Sequence, residues 1–164
     1  MLFRSIYLDT ARLKRSLGDA LNVDPRSIQG YMLGEHGDSQ FAAWSTVRVL
    51  GQKADELVTN YHLDLDAVAN DARVGGFTVF SGKKYTNFAI AHAAVSLAQL
   101  VLSDAHNEAI VSHYDARFAG YISTPAIIGR SGVVANFELT LTADEQRALQ
   151  QSANAIAEKT AAYL

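Results

Sequence analysis

The first residues that could do chemistry are an aspartate and an arginine in the segment Asp9-Thr10-Ala11-Arg12. An i, i+3 spacing at the start of a helix places both side chains on one face. The planar guanidinium of Arg12 can bind a carboxylate through two parallel hydrogen bonds, which a lysine cannot do. The same spacing also fits an ordinary surface ion pair, which contributes about 0–1 kcal/mol. Spacing alone leaves both interpretations open.

His36 is a second candidate, because it lies in the polar segment Gly34-Glu35-His36-Gly37-Asp38-Ser39. Small neighbours allow a ligand to approach the backbone, and an imidazole on a turn is exposed to that ligand. The usual imidazole pKa of about 6.5 suits proton transfer near neutral pH. The alternative is a turn histidine with only a local hydrogen bond. The remaining histidines lack such a setting and are expected to be structural or exposed: His62, His92, His106 and His113.

Two rival chemistries at this segment are weaker. His36, Asp38 and Ser39 include the residue types of a hydrolase triad, but such close neighbours cannot easily contact one another in series. A metal site would need a distant ligand, and no second histidine stands at helical ligand spacing. We therefore expect no metal and no nucleophilic serine.

The elements that must position these residues begin with a helix over Thr10–Leu21, where apolar residues recur at helical spacing and Asp9 is placed to cap the first turn. The residues 24–27 predict a turn, and Ile28–Leu33 a short strand that ends at Gly34. The candidate histidine then lies on the hinge that follows this strand.

Downstream, Thr46–Leu50 predicts a strand, and Asp64 is placed to cap a helix that we expect to be interrupted at Gly75-Gly76. A long helix is predicted over Thr86–Ser103. Short β-branched or aromatic runs then predict antiparallel strands at 109–114, 120–123, 126–129 and 132–137.

The last helix starts at a capping box formed by Thr142 and Glu145 and is predicted to run to the C-terminus. Helices mixed with clustered antiparallel strands indicate an α+β fold. No G-x-G-x-x-G segment follows a strand, so a cradle for a pyrophosphate is not encoded.

Composition limits the function further. The chain has 164 residues, 17 acidic against 14 basic side chains and a net charge of −3, which gives no reason to expect nucleic acid as a partner. Cysteine is absent, which excludes disulfides and thiolate sites. No apolar run reaches the roughly 18 residues of a membrane span, and we expect one cytoplasmic domain over residues 1–164.

Three segments together resemble one family: Leu8-Asp9-Thr10-Ala11-Arg12, the Gly34–Ser39 segment, and Tyr85-Thr86. In this order and separation they are similar to the C-terminal, substrate-binding half of L-lactate dehydrogenases. The segment 40–49 is most similar to the L-2-hydroxyisocaproate dehydrogenase branch. The resemblance implies the α+β fold of the lactate/malate dehydrogenase C-terminal domain, with antiparallel strands, long helices and no Rossmann domain.

The resemblance also implies roles. His36 would be the acid/base that exchanges a proton with the 2-oxo or 2-hydroxyl oxygen, and Asp9 would hold the other nitrogen of its ring. Arg12 would anchor the substrate carboxylate, Thr86 would line the pocket, and Ile90 would pack on the nicotinamide. The implied activity is hydride transfer between NAD(H) and an L-2-hydroxy acid, in a homo-oligomer that acts on a small molecule.

Hydride transfer in this family also needs a dinucleotide-binding half, which would precede Asp9. Met1–Ser5 does not resemble the usual lead-in, whereas Leu164 matches a natural end. We therefore expect a fragment that is inactive alone and that exposes the apolar face normally covered by the missing half. Two alternatives stay open, a catalytically silent assembly module and a malate-specific enzyme. Lys14 and Gln29 stand where some bacterial members bind fructose 1,6-bisphosphate through arginine and histidine, so we expect no such control.

Overall fold

The computed structural model describes residues 6–161, and the predictions made for Met1–Ser5 and for Leu164 lie outside them. The helices are α1 Tyr7–Leu21, α2 Ala54–Tyr61, α3 Leu65–Lys83, α4 Phe88–Leu102 and α5 Ala143–Ala161. The strands are β1 Ile28–Leu33, β2 Phe41–Val49, β3 Gln52–Lys53, β4 Asn107–Asp115, β5 Gly120–Gly129 and β6 Gly132–Ala135. No helix in this range is long and apolar enough to cross a membrane.

The strands form two antiparallel sheets, in the orders β1-β2-β3 and β4-β5-β6. The predicted α+β fold with antiparallel strands is confirmed. One bridge joins the sheets: Gly34 and Ser123 exchange backbone hydrogen bonds of 3.2 and 3.3 Å. This bridge lies immediately before the loop that carries His36, so the position of the loop is tied to both sheets.

Three apolar clusters hold the helices on the sheets. The first packs α1 and α3 on β1 and β2, around Leu13, Leu17 and Met32. The second packs α5 where the two sheets meet, through Leu149 and Ala153, and the third packs α4 on β4 and β5. Burial of one such aliphatic side chain contributes about 1.5–3 kcal/mol, so these contacts set the relative placement of α1, β1 and α5.

Several predictions are confirmed. Asp24 accepts a hydrogen bond from the Arg26 backbone and begins a single 3-10 turn over Pro25–Ser27, and β1 has the predicted bounds. The capping box is present, because the Thr142 backbone donates to Glu145 at 2.9 Å while the Glu145 backbone donates to the Thr142 hydroxyl at 3.2 Å.

Other predictions are wrong, for physical reasons. Asp9 does not cap α1, which begins two residues earlier at Tyr7; its carboxylate binds two side chains instead. The strand β2 begins at Phe41, because pairing with β1 extends it beyond its β-branched residues. The helix α2 went unpredicted, and α3 continues through Gly75-Gly76, where tertiary contacts outweigh the low helix propensity of glycine.

The two strands predicted at 120–123 and 126–129 are one strand, β5. Pro125 within it lies opposite Ile110 of β4. The third strand, β6, pairs only from Ile127 onward, so β5 has no strand neighbour on that side at Pro125. A proline without an amide hydrogen is tolerated at such an edge position.

Candidate active site

The first two turns of α1 bring Asp9 and Arg12 into contact. Arg12 Nη1 donates to Asp9 Oδ1 at 2.6 Å, and Asp9 is only 1% exposed while the Arg12 side chain is 25% exposed. The adjacent Thr10 is buried; its hydroxyl accepts a hydrogen bond of 3.0 Å from the Met32 backbone. This bond fixes α1 against β1, the strand that leads to His36.

The second oxygen of the same carboxylate contacts the histidine. His36 Nδ1 lies 2.6 Å from Asp9 Oδ2, and the His36 side chain is 51% exposed. An ionised carboxylate only accepts hydrogen bonds, so Nδ1 carries the proton in this contact. Asp9 therefore accepts from a guanidinium and an imidazole at once, while half of the imidazole stays accessible.

Arg12 also packs against α3. A Cβ at Gly75 would lie 3.2 Å from Arg12 Cδ, and one at Gly76 would lie 3.2 Å from Nη1. These distances are tighter than ordinary van der Waals contact, so the two glycines let the helix lie flat against the guanidinium. The sequence pattern predicts a helix interruption at this glycine pair, whereas two adjacent glycines inside a helical pattern also indicate a close approach of another group.

The loop that carries His36 has its own supports. Gly34 has φ +97°, a conformation that favours glycine. The Ser39 hydroxyl donates to Glu35 Oε2 at 2.7 Å, and Lys159 of α5 forms an ion pair with Glu35 Oε1. The Lys159 ammonium, and then the Ser39 hydroxyl, hold the pKa of the Glu35 carboxyl below its usual value against the opposing effect of burial. Glu35 is therefore charged at neutral pH.

Thr86 and Ile90, the other two predicted site residues, lie on a different element. Thr86 is exposed just before α4, and Ile90 is 46% exposed in the first turn of that helix, which contacts α1. The structure therefore joins Asp9, Arg12 and His36 by direct hydrogen bonds and places Thr86 and Ile90 on an exposed neighbouring segment.

The structure also places the residues of the two rival chemistries. The Ser39 hydroxyl donates to Glu35, so its proton is directed to a carboxylate outside the supposed triad. Between residues 6 and 161, no three histidine, cysteine, aspartate or glutamate side chains are grouped to hold a metal ion. His113 is a buried structural residue, with Nδ1 3.2 Å from the Val111 carbonyl oxygen.

A cavity of about 220 Å³ opens elsewhere, at β4, β5 and the segment before α5, and none of the candidate residues lines it. Its arginine, Arg117, is paired with Asp115 at 2.7 Å and with Glu138 at 3.1 Å. With its positive charge balanced in this way, the cavity offers no evident anion site. The chemistry of Asp9, Arg12 and His36 instead fits an organic acid: a cation for a carboxylate beside a group that moves protons.

Comparison with known proteins agrees with this chemistry. The family described as lactate/malate dehydrogenase, alpha/beta C-terminal domain, matches residues 7–162. An L-lactate dehydrogenase of Treponema denticola is 38% identical over 161 residues, which cover 92% of this chain and 51% of that protein. L-lactate dehydrogenase 1 of Lactobacillus acidophilus is 35% identical over 92% of this chain and 49% of its own length.

A solved structure gives the same result. The crystal structure of a minor L-lactate dehydrogenase from Enterococcus mundtii, in a ligand-bound form, superimposes with a TM-score of 0.89 at 28% identity. It covers 96% of this chain, and the chain covers 52% of it. The chain thus spans about half the length of the relatives it matches. Likeness to the L-2-hydroxyisocaproate branch stays a prediction, since these relatives are L-lactate dehydrogenases.

Proposed function

Because this chain belongs to the family of lactate/malate dehydrogenase α/β C-terminal domains, we propose that it is the substrate-binding and catalytic half of a cytoplasmic oxidoreductase. The reaction interconverts an L-2-hydroxy acid and the corresponding 2-oxo acid. One observation carries the proposal: the buried carboxylate of Asp9 holds Arg12 and His36 side by side, each at 2.6 Å. A 2-oxo or 2-hydroxy acid needs both groups: a cation that binds its carboxylate, and a group that exchanges a proton with the oxygen on C2.

Arg12 binds the substrate carboxylate. A guanidinium has five N–H donors, and the bond to Asp9 engages the Nη1 group. A carboxylate that receives two parallel N–H bonds is fixed in orientation as well as position, which places C2 at a set distance from His36. Because Gly75 and Gly76 have no side chains, α3 lies close to the guanidinium, where an added Cβ would be 3.2 Å from Cδ or Nη1.

His36 exchanges the proton. During reduction its Nε2 donates a proton to the 2-oxo oxygen, and during oxidation Nε2 takes the proton back from the hydroxyl. Asp9 accepts from Nδ1 throughout and favours the charged ring, because the carboxylate stabilises the positive charge beside it. Thr86, exposed just before α4, is assigned to the lining of the substrate site.

The described residues fit only the nicotinamide end of the cofactor NAD(H). The exposed side chain of Ile90 can cover a flat ring such as nicotinamide, but both sheets are antiparallel and provide no strand–turn–helix cradle for phosphates. NAD(H), when bound, supplies or accepts the hydride. Its phosphates are assigned to a separate dinucleotide-binding half, which agrees with a chain of about half the length of its relatives. Without that half we expect the present chain to be inactive.

The intact enzyme is proposed to be a homo-oligomer. The helices α3 and α4 present large apolar side chains to solvent, and surfaces of this kind are usually covered in assembled proteins. The most exposed of them are Phe77, Phe80, Phe88, Val95 and Leu102.

The test joins the 164-residue chain to a dinucleotide-binding half from a relative and follows NADH oxidation with pyruvate, 4-methyl-2-oxopentanoate and oxaloacetate. The preferred acid distinguishes the lactate, isocaproate and malate types. We expect His36→Gln to lower kcat about 10²–10⁴-fold, the usual contribution of a general acid, and Arg12→Lys to raise KM. His92→Gln and Arg15→Lys, which alter an exposed histidine and an arginine paired only at the surface with Asp19, are the controls.

Full activity of the His36→Gln fusion would overturn the proposal. Absence of turnover in a folded fusion that still binds NADH would instead favour a silent assembly module. Saturable binding of NADH by the 164-residue chain alone, measured by calorimetry, would contradict the assignment of the phosphates to a separate half.

A further inference from the structure

The loop that carries His36 is held from the opposite side by α5. Ser152, in the middle of that helix, is fully buried. Its Oγ accepts a hydrogen bond of 2.6 Å from the Glu35 backbone N–H and lies 3.0 Å from Ser39 Oγ. One hydroxyl therefore contacts both ends of the segment that contains His36.

A second contact from α5 lies two turns further along the same face of the helix. Lys159 forms an ion pair with Glu35, and the other Glu35 oxygen accepts from Ser39. The loop thus closes on itself through the Glu35 carboxylate, and α5 holds that carboxylate in place. Since Glu35 directly precedes His36, the direction of the imidazole depends on the peptide that Ser152 and Lys159 hold.

The approach of α5 to this loop is close. A Cβ on Gly34 would collide with the Ser152 side chain. Arg12 is held differently, by Asp9 on its own helix and by the glycines of α3. The contacts of α5 therefore hold the loop that carries the proton-transfer group, whereas the carboxylate clamp is held by α1 and α3.

We infer that Ser152 and Lys159 are positioning residues for His36, which hold the Gly34–Ser39 loop so that Nδ1 meets Asp9. The consequence for catalysis rests on the proposed function. The effect of Ser152 and Lys159 on the His36–Asp9 hydrogen bond does not depend on the proposed function, and it can be measured on this chain alone. If α5 only stabilised the fold, substitutions of Ser152 and Lys159 would lower the free energy of unfolding but would leave the His36–Asp9 contact of the folded chain unchanged.

The first experiment measures exchange with water of the His36 Nδ1 proton, by NMR on the ¹⁵N-histidine-labelled 164-residue chain. Ser152→Ala and Lys159→Met are each expected to accelerate exchange about fivefold, the effect of losing one typical hydrogen bond. Lys159→Arg should restore the slow rate. Thr160→Val is the matched control, because within residues 6–161 the Thr160 hydroxyl bonds to carbonyls of its own helix, those of Ile156 and Ala157.

Unchanged exchange in both variants of a folded chain overturns the inference. If Ser152→Ala does not fold, Lys159→Met still decides, because the Lys159 side chain is 66% exposed and its replacement leaves the core intact.

The second experiment uses the fusion enzyme described above. Both variants are expected to lower kcat about fivefold and leave KM for the 2-oxo acid unchanged, because Arg12 is held by other elements. An equal effect on kcat and KM overturns the positioning role. A fusion without any activity, together with accelerated exchange in the variants, contradicts the proposed function while supporting the positioning of His36.

Discussion

Replacing Asp9 by asparagine tests the centre of the site with little change of shape. The carboxylate accepts from Arg12 Nη1 and from His36 Nδ1, each at 2.6 Å, and Asp9 is 1% exposed. Asparagine keeps one oxygen but presents an NH₂ group to the other donor. One of the two hydrogen bonds is therefore lost, and the remaining bond no longer ends on a charge.

The magnitude follows from the burial of each partner. A hydrogen bond to a charged group contributes about 1.5–3 kcal/mol, but the His36 side chain is half exposed and Arg12 a quarter exposed, so solvent screens both. Removal of a buried charge also recovers part of its desolvation cost. We expect Asp9→Asn to lower the free energy of unfolding by about 1–2 kcal/mol, roughly a 5–30-fold change in the folding equilibrium.

The assay is urea unfolding of the 164-residue chain at pH 7, followed by circular dichroism. Asp19→Asn is the matched control, because Asp19 lies on the same helix and pairs with Arg15 at 2.6 Å, but with both side chains exposed. Its loss should stay below about 0.5 kcal/mol. A double-mutant cycle of Asp9→Asn with His36→Gln then isolates the contact and should give a coupling near 1 kcal/mol.

Equal losses for Asp9→Asn and Asp19→Asn, or a coupling of zero, would refute the argument that one buried carboxylate joins the two functional side chains.

Two further predictions concern the elements around the site. Burial of Glu145 acts to raise its pKa, but hydrogen bonds from Ser45 at 2.8 Å and Thr142 at 2.9 Å outweigh it and lower the pKa below the usual 4.5. The stability that this carboxylate contributes is complete above the unfolded pKa and is lost as pH falls through the folded pKa. In urea titrations below pH 4.5 the native chain should therefore lose more stability than the Glu145→Gln variant, which has no carboxylate to protonate. Glu158→Gln is the control, and equal pH slopes for the native chain and Glu145→Gln would contradict the prediction. Gly34→Ala should lower the free energy of unfolding by about 2–4 kcal/mol, since it combines a strained φ with a collision at Ser152. Gly51→Ala, also at positive φ but with open space around it, should lose only about 1 kcal/mol, and similar urea midpoints for the two variants would contradict the close packing of α5.

Local chemistry was sufficient to predict the elements that carry the site. The Asp24 turn and the Thr142 capping box follow from neighbouring residues alone, because their stabilising contacts lie within three positions in sequence. The bounds of β1 follow from the turn before it and Gly34 after it, although the strand itself is stabilised by pairing with β2. The predicted bounds of α4 differ by two residues at its start and one at its end. The relation of Asp9 to Arg12 is likewise local, since both lie on one helical turn.

Errors arose where distant segments decide the structure. Asp9 has the residue type of a helix cap, but its carboxylate contacts a side chain 27 positions away. Gly75-Gly76 has low helix propensity, but α3 continues because the pair faces Arg12. The length of β2 depends on its partner β1, which sequence patterns do not specify.

The sequence by itself determined the candidate chemistry of this chain, because a carboxylate, a guanidinium and an imidazole in two short motifs identify a resemblance and the roles that it implies. Only the tertiary structure decided that the buried carboxylate of Asp9 accepts hydrogen bonds from both Arg12 and His36. It also decided that Ser152 and Lys159, near the other end of the chain, contact the loop that carries His36. Contacts separated by more than a hundred positions depend on how the two sheets and α5 pack, and packing is a property of the whole core rather than of any segment.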